Sequence, residues 1–197
     1  MPTRFCTQCW TVQAWTADVC SQCGAPLADP THNGVPYREK LLDALRNPEP
    51  ETRARAAMLL GVISEPGDAQ VISVLLALLE ASVRDARGSD PQGGASKQAG
   101  TSLWNSSIVR DNGLQVEAID ALGRLGGCEA SNVLFRMAMQ DELPLVSGLR
   151  SVDALADLAL SGCDDAAEAL QRLAHEAGRV AVRTEASTVL AALNEPE

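Results

Sequence analysis

Aromatic side chains make up only 3% of this 197-residue chain: two Phe, one Tyr and three Trp. Strands draw on aromatic and β-branched residues, so an extensive sheet is poorly supplied, and a core has to be assembled from Leu, Ala, Val and Ile. Histidine occurs twice, as His32 and His175, and there is no His-containing metal motif, no Ser-His-Asp order and no Gly-rich phosphate loop. Cations are outnumbered, 16 against 26 acids, for a formal net charge of −10. Residues 128–197 alone hold 12 acids against five Arg, a field that repels phosphate backbones and disfavours nucleic acid as a partner of that half. The longest apolar run, Val74 to Leu79, is six residues, against the roughly 18 of a membrane span. No basic-then-apolar leader precedes Phe5 and Cys6, so a cytoplasmic chain without a membrane span is the expectation.

Hydrophobic residues nevertheless form 46% of the chain, enough for one ordinary domain and a small satellite. Apolar residues recur at helical spacing. Val71, Ile72, Leu75, Leu78 and Leu79 fall on one helix face, and Ala118, Ile119, Ala121, Leu122 and Leu125 do so again. Breakers place helices near 37–46, 50–63, 68–83, 113–125, 129–140, 144–160, 164–177 and 179–193. The expected fold class is all-α.

Four of six cysteines stand in two close pairs, Cys6-Thr7-Gln8-Cys9 and Cys20-Ser21-Gln22-Cys23, giving C-x2-C-x10-C-x2-C. Each Cys-x-x-Cys turn converges two thiolates while backbone amides face the sulfurs, and two turns complete a tetrahedral S4 site for one structural Zn2+. Thiolates disfavour Mg2+ and Ca2+, which want oxygen. A segment of about 27 residues cannot fold by burial alone, so the metal has to supply on the order of 10 kcal/mol. A redox-active dithiol is the competing reading, though such motifs usually carry one Cys-x-x-Cys between strand and helix. With Gly24, Ala25, Pro26 and Leu27 after the second pair, residues 1–27 resemble the short zinc-ribbon family. The first knuckle departs from it, because Trp10 stands where that family has Gly. Trp10 and Trp15 either cover the metal site as a minimal core or offer a partner-binding surface.

Residues 28–36, with two Pro, a Gly and an Asn, read as a linker, and His32 within it as a solvated loop side chain. A helical domain follows over 37–197. Its phrases recur: Arg55-Ala56-Ala57-Met58-Leu59-Leu60-Gly61 returns as Glu117-Ala118-Ile119-Asp120-Ala121-Leu122-Gly123 and again from Ser151, and Leu122, Leu155 and Leu190 lie 33 and 35 residues apart. That period implies an α-α solenoid, in which helix pairs bury their apolar stripes by stacking. Arg55-Ala56, Leu60-Gly61, Ile63, Pro66, Asp68-Ala69 and Leu75-Leu76 resemble the short HEAT-like repeats of phycobilin lyases, over most of residues 48–193. Cys128 and Cys163 occupy matching turns one repeat apart; helix axes 8–10 Å apart are too distant for a bridge, so both are expected free. His175, late in its helix, reads as a surface or capping residue. At about 86–112 the pattern fails in a polar, Gly- and Ser-rich insertion that ends at Leu103-Trp104, a second possible partner-binding patch.

These features imply a non-enzymatic adaptor or scaffold that binds another protein, neutral or basic, through its solenoid, its ribbon or both. The HEAT resemblance implies an alternative, a tetrapyrrole-handling enzyme or chaperone, which the scarcity of aromatics disfavours. A third reading, nucleic-acid association through the ribbon, has a single cation, Arg4, behind it.

Overall fold

The computed structural model describes residues 3–6, 8–14, 16–27, 36–88 and 111–193. The chain is predominantly helical. Among the described residues a two-stranded antiparallel hairpin, β1 (Thr3–Phe5) and β2 (Val12–Ala14), precedes eight helices. These are α1 (Tyr37–Ala44), α2 (Pro50–Ile63), α3 (Ala69–Gly88), α4 (Asn112–Leu125), α5 (Ala130–Met139), α6 (Leu145–Leu160), α7 (Asp164–Glu176) and α8 (Val180–Leu193).

Local chemistry sets the helix starts. Pro50 opens α2, where its missing N–H costs nothing. The carboxylates of Asp68 and Asp111 accept from the backbone N–H of Val71 and Leu114, each at 3.2 Å, and so cap α3 and α4. The third helix runs five residues past the expected end at 83, and its apolar stripe of Val71, Leu75, Leu79 and Val83 is buried.

The helices pack in two rows. In one, α2 lies on α4, α4 on α6 and α6 on α8; in the other, α3 lies on α5 and α5 on α7. The core between them is Leu, Ala, Val and Ile, with Leu60, Leu75, Leu122, Leu134, Leu155 and Leu170 fully buried. Close approach within the first row depends on small residues. A Cβ placed on Gly61 of α2 would stand 2.6 Å from Ala121 Cβ, and one on Gly123 of α4 would stand 3.1 Å from Ala154 Cβ. The glycines of the repeated Leu-Gly phrase are therefore the points where one helix backbone meets the next. Arg53 and Arg183 recur in the same way near the starts of α2 and α8. Arg53 donates to the carbonyls of Asn47 and Pro48, and Arg183 to those of Ala177 and Gly178.

Cys128 and Cys163, expected free, are joined by a disulfide. Helix-axis spacing was the wrong measure. Both cysteines sit in the turns that lead into α5 and α7, where the two chain segments come within 5.6 Å between Cα atoms.

Candidate metal centre

The two cysteine knuckles are built alike. Cys6 N–H donates to Thr11 C=O at 2.9 Å and Trp10 N–H to Cys6 C=O at 2.9 Å; Cys20 N–H donates to Ala25 C=O at 2.8 Å and Gly24 N–H to Cys20 C=O at 3.0 Å. In each, the amide two residues after the first cysteine points at its sulfur: Gln8 N–H to Cys6 Sγ at 3.3 Å and Gln22 N–H to Cys20 Sγ at 3.4 Å. Such N–H···S contacts stabilise thiolate over thiol. The hairpin β1–β2 carries the first knuckle, and Ser21 N–H donates to Gln13 Oε1 at 3.1 Å, fastening the second to it.

Equivalent backbone positions explain the departure at Trp10. Gly24 has φ of 72° and Trp10 φ of 60°, the one non-glycine in the left-handed region among the described residues. For an L-residue this conformation costs about 1–2 kcal/mol. Packing offsets it: the Trp10 ring meets Phe5 edge-on, 6.4 Å between centroids, and both contact the helical core. The N–H of Phe5 also donates to Tyr37 Oη at 3.0 Å, tying the hairpin to α1, and burial pushes the Tyr37 phenol up.

All four sulfurs lie within 4.8 Å of one another. Cys6 Sγ is 3.6 Å from Cys23 Sγ, and Cys9 Sγ is 3.6 Å from Cys20 Sγ. Sulfurs at about 2.3 Å from a central ion define a tetrahedron with edges of about 3.8 Å, so the donor set and its spacing fit a four-coordinate thiophilic metal. The thiols differ sharply. Burial pushes Cys6 up, while a hydrogen bond from Thr11 Oγ1 draws Cys9 down to about 6. At Cys23 the Ala25 amide lowers the thiol, but the sulfurs of Cys9, Cys6 and Cys20, with slight desolvation beside them, outweigh it and raise the net value. Four sulfurs this close cannot all be anionic without a cation between them, which is the condition a bound metal relieves. Cys6 and Cys20 are buried and Cys23 is exposed, so the centre has one open flank.

Of the other residues singled out in the sequence, Trp10 is described and turns toward the helices. It lines a cleft of about 250 Å³ between the hairpin and the start of α2, together with Phe5, Thr11, Glu51, Thr52 and Arg55. Trp15, His32 and Trp104 lie outside the described residues, as does most of the insertion. His175 is exposed in the last turn of α7. No described helix is long and apolar enough to cross a membrane.

Neither protein-family models nor curated proteins nor solved structures match the chain.

On the helical part, the sequence pattern did not reveal a line of carboxylates. Partial desolvation raises Asp153 of α6, a half-exposed carboxylate, and repulsion from Glu185 of α8 and from Asp120 and Asp157 adds to it against the opposing charge of Arg150, 3.8 Å away. Burial likewise raises Glu117 of α4, and repulsion from Asp120 adds to it. The exposed flank of the α4–α6–α8 row is thus negatively charged, with Arg124 and Arg150 as its interspersed cations.

Proposed function

We propose that this chain is a non-enzymatic interaction scaffold. In this reading residues 1–27 form a zinc ribbon whose single structural Zn2+ is held by Cys6, Cys9, Cys20 and Cys23, residues 28–36 are a linker, and residues 37–197 form a HEAT-like solenoid. The observation that carries it is the row in which α2, α4, α6 and α8 each pack on the next, since such a row offers an extended lateral surface rather than an enclosed pocket. The carboxylates along that row, Glu117, Asp120, Asp153, Asp157 and Glu185, favour a protein partner that is neutral or basic. Zinc fits the S4 donor set better than harder ions, and with four thiolates no coordination position remains for a substrate, which favours a structural over a catalytic metal. The metal would fold the module and hold Trp10 against the helices; no reaction step is assigned to it.

The test is affinity recovery from native extract by the full chain, by a Cys20→Ser/Cys23→Ser variant and by an Asp120→Asn/Asp153→Asn variant. A specific protein recovered by the full chain and lost with the carboxylates identifies the helical row as the recognising surface; loss with the cysteines assigns recognition to the ribbon. Turnover of a substrate by the purified chain, or recovery of nucleic acid in place of protein, would overturn the reading.

A further inference from the structure

We propose that the Cys128–Cys163 bridge is a reversible thiol–disulfide site that couples neighbouring helix pairs. The bridge joins the α4–α5 turn to the α6–α7 turn, closing a span of 35 residues. Its two ends differ. Cys128 is exposed, whereas Cys163 is 5% exposed and belongs to the helical core. Of the two ends, Cys128 is therefore the one open to approach by an external thiolate. The helices around the bridge do not depend on it for contact: α5 and α7 each pack on α6 and on each other through Leu134, Met137, Leu158, Ala166 and Leu170, all buried. That packing keeps the two turns adjacent whether the sulfurs are bonded or not. Ser131 Oγ stands 3.5 Å from Cys163 Sγ, a hydroxyl placed to donate to the sulfur once the bond is open.

The exchange balances with a low-molecular-weight monothiol as reductant. One thiolate, RS⁻, attacks Cys128 Sγ; the Cys128–Cys163 bond breaks, Cys163 leaves as thiolate and takes up a proton, and Cys128 is left as the mixed disulfide. A second RS⁻ attacks the outer sulfur of that disulfide and releases Cys128 as thiolate, which is protonated in turn. The sum is one protein disulfide and two RSH giving one protein dithiol and RSSR, and oxidation by RSSR runs the same steps in reverse. On the metal reading of the N-terminal cysteines, the conditions that preserve four ligating thiolates are those in which free thiols act on the accessible bridge. The bridge and the metal centre then divide the six cysteines into an exchanging pair and a metal-protected set. When the bridge opens, the α5 and α7 turns lose their covalent link and the helix pairs are joined by packing alone.

The experiment uses the full-length zinc-loaded chain in glutathione and glutathione-disulfide mixtures, stepped from roughly 100:1 to roughly 1:1. Each sample is acid-quenched, alkylated and mapped by peptide mass spectrometry, with a thermal melt run in parallel. The expected result is that Cys128 and Cys163 pass together from alkylated to bridged across the series. Closing a loop of this length should raise the melting temperature by on the order of 10 °C. Cys6, Cys9, Cys20 and Cys23 should form no disulfide over the same range. A Cys128→Ser variant, altered at an exposed turn, should melt at one temperature throughout. A bridge that survives the most reducing mixture overturns the proposal in favour of a fixed structural crosslink. Alkylation of both cysteines at every ratio, with no bridged form even at the most oxidising one, overturns it in favour of two independent thiols.

Discussion

Arg53 and Asp111, 58 residues apart, form a buried ion pair: Arg53 Nε and Nη2 both donate to Asp111 Oδ2, at 3.0 and 2.6 Å. Arg53 is 4% exposed and Asp111 9%, and the second carboxylate oxygen caps α4 at Leu114 N–H. One aspartate thus positions the start of α4 against the start of α2, across α3 and the insertion that separate them. Removing it with Asp111→Ala leaves a guanidinium buried with only the carbonyls of Asn47 and Pro48, and removes the cap. We expect a loss of about 3–5 kcal/mol by urea denaturation. Asp111→Asn keeps a capping oxygen and should lose less; equal losses for the two variants would show that the charge contributes nothing.

Gly61 is the tightest crossing in the first row. Gly61→Ala forces a Cβ to 2.6 Å from Ala121 Cβ and 2.7 Å from its Cα, and should destabilise by about 1–3 kcal/mol or more. Gly123→Ala, with its nearest contacts at 3.1 Å, should cost less. Pairing Gly61→Ala with Ala121→Gly should restore part of the loss, and a double variant no more stable than the single one would place the damage elsewhere.

The Arg38–Asp68 pair gives an acid limb to the stability profile. Arg38 Nε and Nη2 bind the two Asp68 oxygens at 2.8 and 2.6 Å, and that hydrogen bonding holds Asp68 below the ordinary carboxylate range. The unfolded chain therefore binds the proton more readily. Stability from Asp68 is complete above the ordinary carboxylate pKa and is lost as pH falls through the lowered folded value. The sign reverses at Asp153 and Glu117, which folding raises, so the native state binds their protons more readily and gains as pH falls. Asp153→Asn should raise the urea midpoint at pH 7 and change it less at pH 4, whereas Asp68→Asn should lower it at pH 7 with little effect at the acid end. Equilibrium unfolding of both variants at the two pH values checks both signs.

Metal removal should act on one end of the chain. Native mass spectrometry should show one zinc per chain, and a chelator that strips it should abolish protection of the amides of residues 5–27 from hydrogen exchange while leaving α4–α8 protected. Trp10→Gly should keep the metal, since glycine relieves the left-handed backbone, while loosening the hairpin from the helices through the lost packing of the indole on the helical core. Loss of zinc from that variant would mean that the indole itself protects the centre.

The candidate centre is legible in the sequence because its chemistry is local. Two Cys-x-x-Cys turns must each converge their sulfurs, and the residue after each turn has to accept a left-handed backbone, which marks Trp10 as the odd one. Helix starts are legible for the same reason: Pro50, Asp68 and Asp111 act on the amides within their own first turn, and every observed start falls within one residue of the expected one. Helix ends are less so: α3 continues to Gly88, five residues past the end that the sequence pattern marks.

By itself, then, the sequence determined the helical class, the starts of the eight described helices and the identity of the four converging thiols, because each follows from spacing along one short stretch of chain. Tertiary structure alone decided that Arg53 finds Asp111, that Gly61 must be bare opposite Ala121, that acids from α4, α6 and α8 share one flank, and that Cys128 reaches Cys163. Each of these joins residues from different helices or turns, far apart along the chain. Their meeting depends on how helices stack and turns protrude, quantities that no local pattern encodes.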